Sequence, residues 1–99
     1  MTNIQDSLTI GMISSEVGNV FIAHSAPKPI KIRLCKVVEH KIMSKEFRVP
    51  FTLIFESPKN VFLVEGNYYL TSESGKMYVM HVTPIVSPGK KQFYQAMYN

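Results

Sequence analysis

Three histidines, a single cysteine and a cluster of cations are the side chains here with chemistry beyond packing. His24, His40 and His81 lie far apart in the chain. A strand that holds a metal presents His-x-His, or a histidine with a carboxylate at ligand spacing, and neither occurs. They are expected to be partly exposed strand histidines, with no metal and no cofactor. Serine chemistry lacks its partners as well. Asp6 is the only aspartate and sits near the amino terminus, and no Gly-x-Ser-x-Gly elbow is present. Cys35 is the only cysteine, which excludes an internal disulfide and any cysteine-pair metal site. A lone strand cysteine is inert far more often than reactive, so Cys35 reads as a small strand side chain. The expectation is a protein without catalytic function.

The cations are unevenly placed. Lys28, Lys31, Arg33, Lys36, Lys41, Lys45 and Arg48 against Glu39 and Glu46 give seven minus two, or +5, between positions 28 and 48. Lys59, Lys76, Lys90 and Lys91 against Asp6, Glu16, Glu56, Glu65 and Glu73 give four minus five, or −1. With Phe47 and Phe51 at its end, the basic segment could make a positive groove with stacking platforms for single-stranded nucleic acid. That reading implies a barrel like the oligonucleotide-binding fold. Against it, Phe51 and Phe55 follow the buried face of a strand, and the aromatic and glycine motif of ribonucleoprotein sheets is missing. A solvated edge strand guarded by its lysines accounts for the same residues.

The tyrosines favour a protein partner. Tyr68 and Tyr69 are adjacent, so strict alternation turns one of them outward, and exposed tyrosine is characteristic of interfaces. The expected partner-binding residues are Lys31, Arg33, Lys45 and Arg48, with whichever of Tyr69 and Tyr78 faces solvent. Six methionines could also make an adaptable surface. Met77, Met80 and Met97 lie in strand-like runs and are expected in the core.

These side chains must be positioned by strands. From position 51 onward the chain alternates apolar and polar residues in short runs between turn-forming clusters, the pattern of strands with one buried face. Strands are expected at positions 19–24, 30–40, 51–56, 67–71, 77–86 and 92–98, with a brief apolar piece at 61–64. In the second of these, Ile30, Ile32 and Leu34 share a face. The phase then slips, which a β-bulge near Cys35 or Lys36 would repair. Ser57-Pro58-Lys59-Asn60 is a turn, and the clusters at 72–76 and 87–90 read as hairpins that make the last three strands a meander. Thr9 can cap a short helix through Ile10, Met12, Ile13 and Val17, with Gly18 at its left-handed stop. That helix would plug one end of the sheet. Residues 1–9 are expected to be loosely held, and 41–49 to form a long exposed loop of the kind that carries binding. The domain is therefore 10–99: all-β, a small antiparallel barrel or sandwich of about six strands with a short N-terminal helix.

At 99 residues the chain makes one domain with a modest core, so self-association would help it. A hydrophobic fraction of 45% excludes disorder, and no apolar run approaches the ~20 residues of a membrane helix. The first residues lack a secretory pattern, so a cytoplasmic location is expected.

Several segments together resemble a family of small uncharacterised bacterial proteins. They are Val17-Gly18-Asn19-Val20-Phe21, Val49-Pro50-Phe51-Thr52-Leu53-Ile54-Phe55 with Ser57-Pro58, Gly66-Asn67-Tyr68-Tyr69-Leu70, Val82-Thr83-Pro84-Ile85, and Tyr94-Gln95-Ala96-Met97-Tyr98-Asn99. Each is apolar or turn-forming, a fold signature more than a site signature. The resemblance implies an all-β domain with no established activity, often encoded near proteins similar to phage tail-collar fibres, and hence a structural or adaptor role. The basic segment departs from the acidic or mixed character of that family.

Overall fold

Alternation of apolar and polar residues shapes most of the molecule. A computed structural model describes residues 8–40 and 50–98, with one short helix followed by six antiparallel strands. They are α1 (Ile10–Ser14), β1 (Val20–Ala23), β2 (Ile30–Glu39), β3 (Phe51–Pro58), β4 (Gly66–Ser72), β5 (Met77–Ile85) and β6 (Lys91–Tyr98). Two meanders, β1-β2-β3 and β4-β5-β6, are joined where β3 pairs with β6 and β1 with β4, which closes the sheet into a barrel. A closed barrel, and not a sandwich, is the result.

Closure corrects one expectation. Strand β2 lies between β1 and β3, so its lysines do not guard a free edge. The oligonucleotide-binding fold has five strands in a partly open barrel, which differs from the six strands closed here.

The core follows the inward residue of each alternating pair. Phe21, Ala23, Ile32, Leu34, Phe51, Leu53, Phe55, Leu70, Met80, Val82 and Tyr94 are all buried. Phe21 meets Phe55 edge to face, with ring centroids 5.4 Å apart at 85°. Burying each large apolar side chain contributes about 1.5–3 kcal/mol, and these rings supply much of the total. Met77 and Met97 depart from the expected core, because both fall on the outward phase and stand half exposed or more. The apolar piece at 61–64 forms no strand, and Leu63 alone of its residues is buried.

The bulge sits where the phase slips. Leu34 pairs with Phe55 and Lys36 with Ile54, leaving Cys35 as the extra residue. Thr9 caps α1 by accepting the Met12 amide, and Gly18 follows at φ +95°, left-handed as its position required. The helix packs its buried Ile13 and the preceding Leu8 into the core. Leu8 thereby belongs to the folded domain, although the sequence placed it in a loose terminus. Residues 1–7 of that terminus, and the expected loop at 41–49 with Phe47, Lys45 and Arg48, lie outside the described residues.

Candidate functional site

Strand register decides which cations meet. On the outer surface Arg33 of β2 pairs with Glu56 of β3, while Pro58 of β3 pairs with Lys91 of β6. Lys31 stands two residues from Arg33 on the same face of β2, and Lys90 immediately precedes β6. Together with Val20, Ile32, Ser57 and Pro58 these residues line a groove of about 370 Å³. Four cations against one carboxylate leave it at +3.

Glu56 anchors the charges. Its Oε2 accepts from Arg33 Nε at 3.0 Å, Arg33 Nη2 at 2.5 Å and Lys91 Nζ at 3.0 Å. The Lys91 ammonium, chiefly, with help from Cys35 and Arg33, outweighs partial burial and lowers the carboxyl to about 2. Lys31 and Lys90 enter no ion pair among the described residues. The sequence had counted Lys90 and Lys91 with the weakly acidic remainder of the chain. Nothing local could have placed them beside Lys31, because the approach is made by β3 pairing on both sides.

The other expected contact residues divide. Tyr69 faces outward and is 60% exposed. Thr71 is the residue across β1 from Lys31, because Ile22 pairs with both, and Tyr69 stands two residues further along the outer face of β4, level with His24. Tyr78 must be removed from the surface: it falls on the inward phase of β5, is buried, and donates its hydroxyl to Glu16 at 2.8 Å. Lys45 and Arg48 lie outside the described residues.

Glu16 is the feature that sequence reasoning missed. It is 1% exposed, and its two carboxylate oxygens accept from Ser72, Ser74, Tyr78 and the Asn19 amide. Burial alone would push its carboxyl up. The hydrogen bonds from Ser72, Asn19, Ser74 and Tyr78 reverse that and lower it to about 2. Asn19, three residues on, is the one local signal, because the remaining donors lie 56 to 62 positions away. A carboxylate held by four donors has no lone pair aimed at solvent, so its work is to tie the segment after α1 to the β4–β5 hairpin.

The histidines stay apart. His24 bonds Thr71, His40 bonds Thr52, and His81 sits between Asn67 and Glu65. No group of three metal-ligating side chains occurs among the described residues. None of their helices is long and apolar enough to cross a membrane.

Closed strands and a basic outer groove define a small β-barrel domain with one strongly charged face. Residues 8–98 match the family described as Domain of unknown function (DUF6916), and the chain belongs to that family. No curated protein and no solved structure matches it. The family agrees with the resemblance in its coarse form, an uncharacterised domain spanning most of the chain.

Proposed function

We propose that this domain is a non-catalytic protein-interaction or assembly module whose docking face is the groove over β2, β3 and β6. The observation that carries the reading is the convergence of Lys31, Arg33, Lys90 and Lys91 on one concavity with an apolar floor. Charges of one sign in a cleft attract a partner and fix its register, while apolar surface beneath them adds affinity. Closure of the barrel supports the same reading, since a rigid surface with no free edge recognises through side chains. Tyr69 extends the face across β1. The resemblance to proteins encoded near tail-collar-like fibres makes a phage-tail-like particle the first place to seek the partner.

The test is capture from the native host's lysate with the wild-type chain and with Lys31→Glu/Lys90→Glu. Both positions are exposed and outside ion pairs among the described residues, so the fold should survive, as circular dichroism would verify. The reading expects the reversal to abolish recovery of a specific protein. Unchanged recovery of every captured protein would remove the groove from consideration. The rival reading, single-stranded nucleic acid, draws on the same positive charge. It lacks support in the lining, because none of the nine groove residues is an aromatic on which a base could stack.

A further inference from the structure

We infer that the groove accepts an extended acidic peptide segment carrying carboxylates at alternate residues. This rests on the reading above and names the partner's chemistry.

Three observations lead to it. First, Arg33 and Lys91 already hold a carboxylate, that of Glu56, through three hydrogen bonds to one oxygen. The geometry of these cations is therefore suited to a planar carboxylate supplied by a side chain. Glu56 occupies only part of the charge, and Lys31 and Lys90 remain for a second anion.

Second, the spacing is that of a strand. Lys31 and Arg33 are alternate residues of β2, so their side chains leave the same face roughly 6.6 Å apart. Alternate side chains of an extended peptide lying along β2 repeat at the same interval. Aspartate or glutamate at every second position would thus meet both cations in register. Third, the apolar side chains beside the cations are Val20 and Pro58, which suit a small apolar residue between the acids. A nucleic-acid strand would leave its bases over these side chains with no ring to stack on.

Glu56 acquires a role in this arrangement. It keeps Arg33 and Lys91 oriented, and it competes with an incoming acid for them. Replacing it by glutamine raises the groove from +3 to +4 and should tighten binding.

The experiment is fluorescence anisotropy with the full chain and three labelled probes. They are an eight-residue peptide alternating Asp and Val, the same peptide with Asn for Asp, and a single-stranded oligonucleotide of equal formal charge. The expected result is binding of the acidic peptide at low salt, weakening as added salt shortens the screening length. Lys31→Glu/Lys90→Glu should lose at least tenfold, and Glu56→Gln should gain several-fold. Equal binding of the Asn peptide would overturn the inference, and so would an oligonucleotide bound more tightly than the acidic peptide. If no probe binds while lysate capture still depends on Lys31 and Lys90, the acidic segment is wrong and the interaction module stands. If capture is also independent of them, both fall. Should Glu56→Gln fail to fold, the charge-reversal pair decides alone.

Discussion

The Tyr78 hydroxyl donates to the Glu16 carboxylate at 2.8 Å, joining residues 62 positions apart. Ser72 bonds the same carboxylate at 2.5 Å and Ser74 bonds it at 2.7 Å, so the β4–β5 hairpin grips the segment that follows α1. An ionised carboxylate buried without donors would be expelled from the core at large cost. Four donors make it a tie. The same carboxylate fixes Asn19, the residue before β1, and thereby where the first strand starts. One glutamate thus sets the closure of the barrel at the end where helix, hairpin and β1 meet.

Acid should loosen this tie first. The carboxyl of Glu16 is lowered from 4.5 to about 2 in the folded protein, and Glu56 is likewise lowered to about 2. Below an unfolded pKa of about 4.5 the unfolded chain takes up protons that the native state refuses. Their stabilisation is therefore complete above that pH and is lost as pH falls towards 2. For buried Glu16 the loss is on the order of 3 kcal/mol. Urea unfolding at intervals from pH 7 to pH 2 should show stability falling mainly below pH 4.5. Glu16→Gln should be less stable at pH 7 by about 1–3 kcal/mol and fall less steeply in acid. An unchanged acid slope in that variant would show that Glu16 is not the group responsible.

Two buried tyrosines should respond oppositely to loss of their hydroxyls. Tyr94 shares a hydrogen bond with Ser57 at 2.9 Å and accepts the Leu63 amide at 3.2 Å, which pins the 61–64 segment to the core. Tyr94→Phe leaves that amide unmet and should cost about 1–3 kcal/mol. Tyr98 stacks on Phe51 with centroids 4.9 Å apart, and its buried hydroxyl has no hydrogen-bond partner among the described residues. Tyr98→Phe should be neutral or stabilise by up to about 1 kcal/mol. Thermal denaturation of the two variants checks the contrast, and equal losses would contradict it.

The contrast shows what the sequence could and could not express. Strands, the bulge at Cys35 and both C-terminal hairpins were legible because alternation and turn residues act over a few positions. Inward and outward faces were legible only where one phase was clearly polar, as with Lys31 and Arg33. In Met77-Tyr78-Val79-Met80 both phases are apolar, so nothing local told Tyr78 from its neighbours. The groove was half legible for a similar reason. Lys31 and Arg33 announced themselves, while Lys90 and Lys91 joined them only through β3 pairing with β2 and β6. Glu16 was nearly hidden, since with only Asn19 nearby a single charged residue beside a short helix reads as solvated until its other donors arrive from the far hairpin.

The β4–β5 hairpin that grips Glu16 depends on one backbone conformation. Gly75 sits at φ +91°, its amide bonding Ser72 while the Ser72 amide bonds Lys76. An added Cβ would meet nothing within 4 Å, so substitution costs backbone strain and not a clash. Gly75→Ala should lose about 1 kcal/mol, lowering Tm by roughly 4–8 °C in a domain of this size. Asparagine tolerates the left-handed region better, so Gly75→Asn should recover part of the loss. Equal melting of wild type and Gly75→Ala would refute the strain argument.

Cys35 offers a chemical test of the groove's electrostatics from behind. It is the extra residue of the β2 bulge, half-buried beside Glu56. Burial, chiefly, and the Glu56 carboxylate push its thiol up to about 11, against the opposing pull of Arg33 and Lys91. Because the thiolate is the reacting species, raising the pKa lowers the reactive fraction at neutral pH. Labelling by a disulfide reagent at pH 7.5 should therefore run at least tenfold slower than for a small free thiol such as glutathione. Rising pH should accelerate it well past the range where an ordinary cysteine levels off. Glu56→Gln removes the negative charge while leaving Arg33 and Lys91, so labelling should speed up several-fold. If Glu56→Gln leaves the rate unchanged, the carboxylate does not act on Cys35, and burial alone sets its reactivity.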